Sequence, residues 1–144
     1  MLIIREIKKE DAKRLGELAR ENFTMPWSES AFEELADDTN SIFFVAENEG
    51  EIIGGCGLTH ILDEGDIHNV MVATAHRRKG VGTMLLKRLL EEGCRQGINE
   101  FTLEVRVSNE AAILTYEKLG FVSEGIRPRF YEQPVEDAMI MWKR

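Results

Sequence analysis

The stretch AHRRKGVGTMLL, residues 75–86, decides how this chain is interpreted, because it places cations and glycines directly before an apolar segment of helical period. Its ionisable side chains and its glycines are, in order, His76, Arg77, Arg78, Lys79, Gly80 and Gly82. The chain around it is acidic, with a formal net charge of -8 at pH 7. A cationic, glycine-bearing loop in an acidic protein indicates a site for an anion.

The pattern around this stretch predicts a strand, a short loop and the start of a helix. Residues 65–74 have the strand pattern and residues 80–96 the helical one. The first N–H groups of a helix have no partner within it and lie at the positive end of the helix dipole. Gly80 and Gly82 let these groups approach a phosphate, and the cations add charge-assisted hydrogen bonds. The loop therefore suits a pyrophosphate; the alternative is a capped helix with solvated cations.

Length and composition predict one globular domain over residues 1–144, with 43% hydrophobic and 31% charged residues. The apolar runs are shorter than the ~20 residues of a membrane span, and we expect no signal peptide and no membrane contact. Cys56 and Cys94 form neither a disulfide framework nor a metal spacing, so reduced thiols in a cytoplasmic protein without a metal are expected. The negative charge argues against nucleic acid and favours a basic polypeptide partner.

Strand and helix patterns follow one another in the order β-α-α-β-β-β-α-β-α-β-β, which predicts an α/β (α+β) layer of helices on a sheet. In the first helix, Ala12, Leu15, Leu18 and Ala19 share one face. Ser28 is the expected N-cap of the second helix. In the helix after the glycine loop, the residues expected to face the core are Val81, Met84, Leu85, Leu89 and Leu90.

The order of elements and two motifs carry a family resemblance. Arg77-x-x-Gly80-x-Gly82 resembles the (Gln/Arg)-x-x-Gly-x-(Gly/Ala) acyl-CoA signature of the GCN5-related N-acetyltransferases, and the strand NVMV, residues 69–72, precedes it. LEVRVSNEAAILTYEKLGF, residues 103–121, resembles the closing half of the same domain. The resemblance implies that family's fold, with a mixed, mostly antiparallel central sheet flanked by helices, and acetyl-CoA as the cosubstrate.

The resemblance also implies a role for each matching residue. Glu104 would be the general base and Tyr116 the general acid. Val70, Met71 and Val72 would lie along the pantetheine and acetyl group through their main-chain groups. The residues that would cradle the pyrophosphate or otherwise bind the cofactor are Arg77, Arg78, Lys79, Gly80, Val81, Gly82, Thr83 and Asn109.

A narrower resemblance points to the acceptor. The stretches MPWSESAF, LEVRVSN, IRPRFY and EDAMIM are similar to the bacterial ribosomal-protein-alanine N-acetyltransferases. This implies acetylation of the N-terminal alanine of small-subunit ribosomal protein eighteen by a cytoplasmic monomer or weak dimer. Two alternatives remain open: a related enzyme that acetylates another peptide or a small amine, and a non-catalytic acyl-CoA-binding module.

The chemistry of acetyl transfer is compatible with these roles. The attacking amine must be neutral, and an α-amine with a pKa of ~7.7–8.0 is deprotonated more easily than a lysine at ~10.4. A partly buried carboxylate within a strand, such as Glu104, would take that proton. A strand N–H from Val70 to Val72 would stabilise the developing oxyanion, and a phenol near the sulfur would protonate the leaving thiolate.

Each of these residues also has a structural interpretation. Glu104 would otherwise be a surface charge of the strand, and Tyr116 a core tyrosine of an amphipathic helix. His68 is a rival base, and Asn109 is also a candidate N-cap for its helix. Pro26-Trp27 fits either core packing or a wall of the peptide site.

Overall fold

The computed structural model describes all 144 residues, and its elements follow the predicted order. The strands are β1 (Leu2–Glu6), β2 (Ser41–Asn48), β3 (Glu51–Ile61), β4 (Glu64–Val72), β5 (Glu100–Arg106), β6 (Val122–Tyr131) and β7 (Glu136–Lys143). The helices are α1 (Ala12–Asn22), α2 (Glu29–Ala36), α3 (Val81–Arg95) and α4 (Glu110–Lys118), with short 3-10 turns before α1 and α3. No helix is both long enough and apolar enough to span a bilayer.

All seven strands form one sheet in the order β1-β2-β3-β4-β5-β7-β6. Every neighbouring pair is antiparallel except β4 and β5, which are parallel. The predicted mixed, mostly antiparallel sheet is therefore confirmed. The parallel pair requires a crossover connection, and α3 provides it.

The helices cover both faces of the sheet. Neighbouring strand residues point to opposite faces, so the environment of adjacent glycines identifies each face. A Cβ added to Gly54 would lie 3.2 Å from Leu85 of α3, whereas one added to Gly55 would lie 3.4 Å from Leu15 of α1. Helices α3 and α1 therefore pack on opposite sides of β3, and a cluster of thirty buried hydrophobic residues extends through both layers.

The local signals of α1 and α2 behave as predicted. Ala12, Leu15, Leu18 and Ala19 are at most 1% exposed. Ser28 is the N-cap of α2, and its hydroxyl accepts a hydrogen bond from the N–H of Ala31 at 3.2 Å.

The prediction for Met84 is wrong. Its side chain is 39% exposed, whereas the other four residues assigned to the core face of α3 are buried. Val81, Leu85 and Leu89 follow the i, i+4 and i+8 row that packs on the sheet, and Met84 lies at the margin of that row.

Candidate active site

The glycine loop has the backbone conformation that its sequence favours. Gly80 is the N-cap of α3 and has a left-handed conformation, with φ +81° and ψ 8°. Arg78 is also left-handed, with φ +64°. Gly82 lies within the helix, where a Cβ would meet only Val72 Cγ2, at an ordinary 3.7 Å. The left-handed backbone therefore favours glycine at position 80, whereas the space around Gly82 is open without any such backbone demand.

This loop presents a row of N–H groups without partners. The first helical hydrogen bond of α3 runs from the N–H of Met84 to the carbonyl of Gly80, at 3.0 Å. The preceding N–H groups, from Arg78 to Thr83, donate to no backbone carbonyl, and Gly80 offers no side-chain cap. They lie at the positive end of a 15-residue helix. Such an arrangement fits the pyrophosphate of acetyl-CoA.

The end of α1 holds the loop in place. The Arg77 guanidinium donates from Nε to the Val72 carbonyl at 3.2 Å and from Nη2 to Asn22 Oδ1 at 2.9 Å. Glu21 accepts from both the N–H and the hydroxyl of Thr74, at 2.5 and 2.6 Å. Part of the predicted cation cluster is therefore structural: Arg77 fastens the loop to β4 and α1 and has fewer donors left for a ligand.

The sheet opens next to this loop. β4 and β5 pair only from Glu64↔Glu100 to Asp66↔Thr102, although both strands continue beyond that point. The later part of β4 stays paired with β3, up to Gly54↔Val72, and the later part of β5 stays paired with β7. The two strands therefore separate, and the edge of β4 from Ile67 to Val72 faces the gap.

A cleft of about 420 Å³ lies on the α3 side of this gap. The predicted cofactor residues that line it are Val70, Met71, Val72, Arg77, Arg78, Gly80, Val81, Gly82 and Thr83. Further lining residues, which the sequence interpretation missed, are His76, Leu86, Ala111, Ala112 and Thr115. The signal of Ala111 and Ala112 is weak, because a small apolar residue on a helix face has no chemistry of its own.

Two of the predicted cofactor residues lie outside this lining. Lys79 is exposed beside it, where its charge still contributes to the local potential. Asn109 is the N-cap of α4, and its Oδ1 accepts from the N–H of Ala112 at 3.3 Å. The N-cap interpretation of Asn109 is thus confirmed, and contact with the cofactor through its free amide NH₂ stays a prediction.

Tyr116 lines the same cleft from α4. It is 7% exposed and packs edge-on against Phe121, with ring centroids 6.0 Å apart. Burial raises the pKa of the Tyr116 phenol above its usual value. The phenol therefore keeps its proton at neutral pH, as a general acid must, and Tyr116 belongs both to the core and to the cleft.

Glu104 lies on the opposite face of the sheet. Phe101 packs against α3, where a Cβ on Gly93 would lie only 2.7 Å from the Phe101 ring. Because side chains alternate along β5, Glu104 points to the face that carries α1 and α2. It is half-buried there, and its charge helps to raise the pKa of Asp66 and that of Tyr131.

Asp66 is a neighbour of Glu104 that the sequence interpretation missed. It is the last residue of β4 that pairs with β5, opposite Thr102, two residues before Glu104. Burial of its carboxyl, and secondly the Glu104 charge, raise the Asp66 pKa. Burial, and secondly the same charge, raise the pKa of Tyr131 to about 12. The pairing of β4 with β5 reveals Asp66 as a neighbour of Glu104, whereas Tyr131 belongs to β6, which lies beyond β7 in the sheet.

His68, the rival base, lies on the same face of the sheet as Glu104, the face that carries α1 and α2. Its ring stacks on Trp27 at 4.7 Å, and its nitrogens make hydrogen bonds with Thr59 Oγ1 at 3.3 Å and Asn69 Nδ2 at 3.0 Å. Burial lowers the His68 pKa to about 4. A ring with both nitrogens engaged and so low a pKa is a weak base. Trp27 packs on His68 and on Phe32 of α2, which fits the packing interpretation, and its role as a wall of the peptide site stays a prediction.

Comparisons with known proteins agree with this geometry. Residues 12–121 match the model of the acetyltransferase (GNAT) family. The ribosomal protein bS18-alanine N-acetyltransferase of Escherichia coli is 36% identical over 118 residues, which cover 81% of this chain and 79% of that protein. The crystal structure of the ribosomal-protein-S18-alanine N-acetyltransferase from Escherichia coli superposes with a TM-score of 0.92 at 31% identity, covering 99% of this chain and 93% of that one. Ard1 from Thermoplasma volcanium superposes with a TM-score of 0.88 at 27% identity, covering 99% and 96%.

Proposed function

The chain belongs to the GNAT family of acetyltransferases, and we propose that it acetylates the α-amine of the N-terminal alanine of ribosomal protein bS18 in the cytoplasm. Acetyl-CoA supplies the acetyl group as an activated thioester. The chain's own residues bind and orient the two substrates and transfer the protons. The Escherichia coli enzyme whose name states this acceptor supports the proposal, both through its sequence and through its structure.

One observation carries the proposal: the two predicted catalytic side chains lie on opposite faces of the sheet, at the gap between β4 and β5. Tyr116 lines the cleft on the α3 side, together with the free N–H groups of the glycine loop. Glu104 points to the other face, where its charge acts on both Asp66 and Tyr131. A cosubstrate held on one face and an amine held on the other would meet where the strands separate.

The proton transfers follow from these positions. Glu104 accepts the proton of the incoming ammonium, directly or through water, and the nearby Asp66 carboxylate adds to the attraction for a cation. Tyr116 donates its phenolic proton to the departing sulfur as the C–S bond breaks, and the second proton that the acylated nitrogen loses restores the phenol through solvent. An N–H of β4 at the open edge, between Val70 and Val72, stabilises the negative charge that develops on the carbonyl oxygen.

The acceptor class follows from charge. The face of the sheet that carries α1 and α2 also carries Asp66 and Glu104, within a protein of net charge -8. A cationic peptide terminus is therefore attracted to this face and an acidic one is repelled. An α-amine also reaches its neutral form more easily than a lysine side chain at neutral pH. Both arguments favour a basic polypeptide with a free N-terminus.

A panel of acceptors tests the proposal. The purified protein is incubated with acetyl-CoA and with an alanine-starting basic peptide, the same peptide with a blocked N-terminus and an internal lysine, and a small polyamine. We expect one added acetyl group on the first peptide, located on the α-amine by tandem mass spectrometry. Acetylation mainly of lysine or of the polyamine would assign another acceptor, and acetyl-CoA binding without any product would indicate a non-catalytic module.

A further inference from the structure

Arg106 connects two loops beside the candidate active site. It lies two residues after Glu104 in β5 and therefore on the same face of the sheet. Its side chain is 23% exposed. Nη1 donates to the Pro134 carbonyl at 3.0 Å and to Glu136 Oε1 at 3.1 Å, and Nη2 donates to the Glu132 carbonyl at 2.9 Å and to Thr24 Oγ1 at 3.3 Å.

The loops that Arg106 joins come from distant parts of the chain. Thr24 belongs to the α1–α2 loop, residues 23–28, and Glu132 to the β6–β7 loop, residues 132–135. The Thr24 hydroxyl also donates to the Glu132 carbonyl at 3.3 Å, which closes a triangle with the guanidinium. A guanidinium is suited to this task, because its rigid fork satisfies several acceptors at once.

The same guanidinium fixes an aromatic side chain next to Glu104. Arg106 Cζ lies 4.5 Å from the centroid of the Tyr131 ring, within cation–π distance. On the other side of this face, Trp27 of the α1–α2 loop stacks on His68 of β4. Trp27 belongs to the α1–α2 loop and Tyr131 ends β6 directly before the β6–β7 loop, so Arg106 holds together the two segments that carry these aromatic side chains.

We propose that Arg106 is a positioning residue for the peptide acceptor: it holds the α1–α2 and β6–β7 loops together, so that Tyr131 and Trp27 form an acceptor slot over Glu104. The acceptor slot comprises Trp27, His68, Tyr131 and Glu104. The inference rests on the proposed function, because it assumes a peptide acceptor on this face. Arg106 touches neither reacting atoms nor the cofactor cleft, so its contribution concerns acceptor binding.

The hydrogen-bond pattern predicts which kinetic constant changes. Glu136, the charged partner of Arg106, also accepts from the N–H of Ser108 at 2.8 Å, just before the N-cap of α4. That contact does not need Arg106, so the α4 side of the cofactor cleft keeps its support when the guanidinium is removed. Loss of Arg106 therefore acts on the peptide and leaves acetyl-CoA binding intact.

The test compares Arg106→Met and Thr24→Val with Arg144→Met. Arg144 is the matched control, because its guanidinium also lies over an aromatic ring, Trp142 at 4.3 Å, and also pairs with a carboxylate, Glu100 at 3.5 Å. For Arg106→Met we expect the KM of an alanine-starting hexapeptide to rise roughly tenfold to a hundredfold, since small misplacements of positioning groups have effects of this size. The KM of acetyl-CoA should stay within about twofold and that of the control near wild type. Thr24→Val should give a smaller change of the same kind.

Two further readouts separate positioning from general support of the fold. Hydrogen exchange in residues 132–135 should become faster in Arg106→Met while exchange in α3 stays unchanged. An alanine dipeptide amide, which makes fewer contacts beyond its N-terminal residue, should lose less kcat/KM than the hexapeptide. Arg106→Lys should remain impaired, because an ammonium keeps the charge but not the fork.

The possible outcomes all decide the question. A wild-type hexapeptide KM in both Arg106→Met and Thr24→Val overturns the inference, and so does an equal loss with the dipeptide and the hexapeptide. If Arg106→Met fails to fold, Thr24→Val decides alone, since it removes one exposed hydroxyl from the same network. A wild-type protein that ignores every alanine-starting peptide contradicts the proposed function instead.

Discussion

Replacing Gly82 with alanine should stabilise the protein and weaken acetyl-CoA binding at the same time. Gly82 lies in the first turn of α3 with open space around it, the nearest foreign atom being Val72 Cγ2 at 3.7 Å. Alanine restricts the unfolded chain and suits a helix, which contributes about 0.5–1 kcal/mol. For a chain of this length we expect the melting temperature to rise by roughly 1–4 °C.

The loss of affinity has a different origin. The new methyl group would point into the cleft where the free N–H groups from Arg78 to Thr83 converge. Displacing the pyrophosphate from one such donor removes a hydrogen bond to a charged group, about 1.5–3 kcal/mol. The Kd for acetyl-CoA should therefore increase roughly tenfold to 150-fold.

Calorimetry with acetyl-CoA and thermal melts measure the two effects separately. The matched controls are Gly80→Ala and Gly97→Ala, because both positions have open space and left-handed φ values of +81° and +90° at opposite ends of α3. Both controls should lose about 1–2 kcal/mol of stability, but only Gly80→Ala should also affect acetyl-CoA. A stabilised Gly82→Ala variant with wild-type affinity would refute the assignment of the phosphates to this loop.

Three further predictions concern catalysis and charge. Glu104→Gln and Tyr116→Phe should each lower kcat by roughly 10²–10⁴-fold. Steady-state rates measured against pH should recover for Glu104→Gln at high pH, where solvent supplies the neutral amine, but not for Tyr116→Phe. Near-normal rates in both variants would disprove the two catalytic roles. The kcat/KM for a basic peptide should fall with added salt, because screening weakens attraction to the acidic face, and a flat profile would remove steering from the account. Because the pKa of Asp66 is raised in the folded state, ionisation of its carboxyl lowers the stability of the protein as pH rises through the carboxyl range. Asp66→Asn should therefore raise the melting temperature near pH 7 and leave it unchanged near pH 3. An equal change at both pH values would contradict this expectation.

The elements of the fold could be predicted because their signals are local. The face formed by Ala12, Leu15, Leu18 and Ala19 follows from helical period, and the capping role of Ser28 from its hydroxyl before an acidic first turn. The exposure of Met84 was mispredicted for the same reason. Period alone defines a stripe of a certain width, and only the sheet beneath it decides which residues at its margin are covered.

The candidate site could be predicted only in part. The glycine loop is contiguous, so its free N–H groups follow from the sequence of one helix start. The roles of Glu104 and Tyr116 came from the family resemblance, since a carboxylate in a strand and a tyrosine on a helix are common structural residues.

The sequence by itself determined the order of elements, the glycine loop that suits an anion, and the residue types available for proton transfer. The tertiary structure decided that β4 and β5 separate after Asp66↔Thr102 and that Glu104 and Tyr116 lie on opposite faces of the sheet at that gap. It also decided that Arg77 is engaged in a hydrogen bond with α1. It also brought Thr24 to Arg106, a pair 82 residues apart. The physical reason is that helix capping and hydrophobic periodicity depend on a few neighbouring residues, whereas strand pairing and loop contacts depend on the packing of the whole chain.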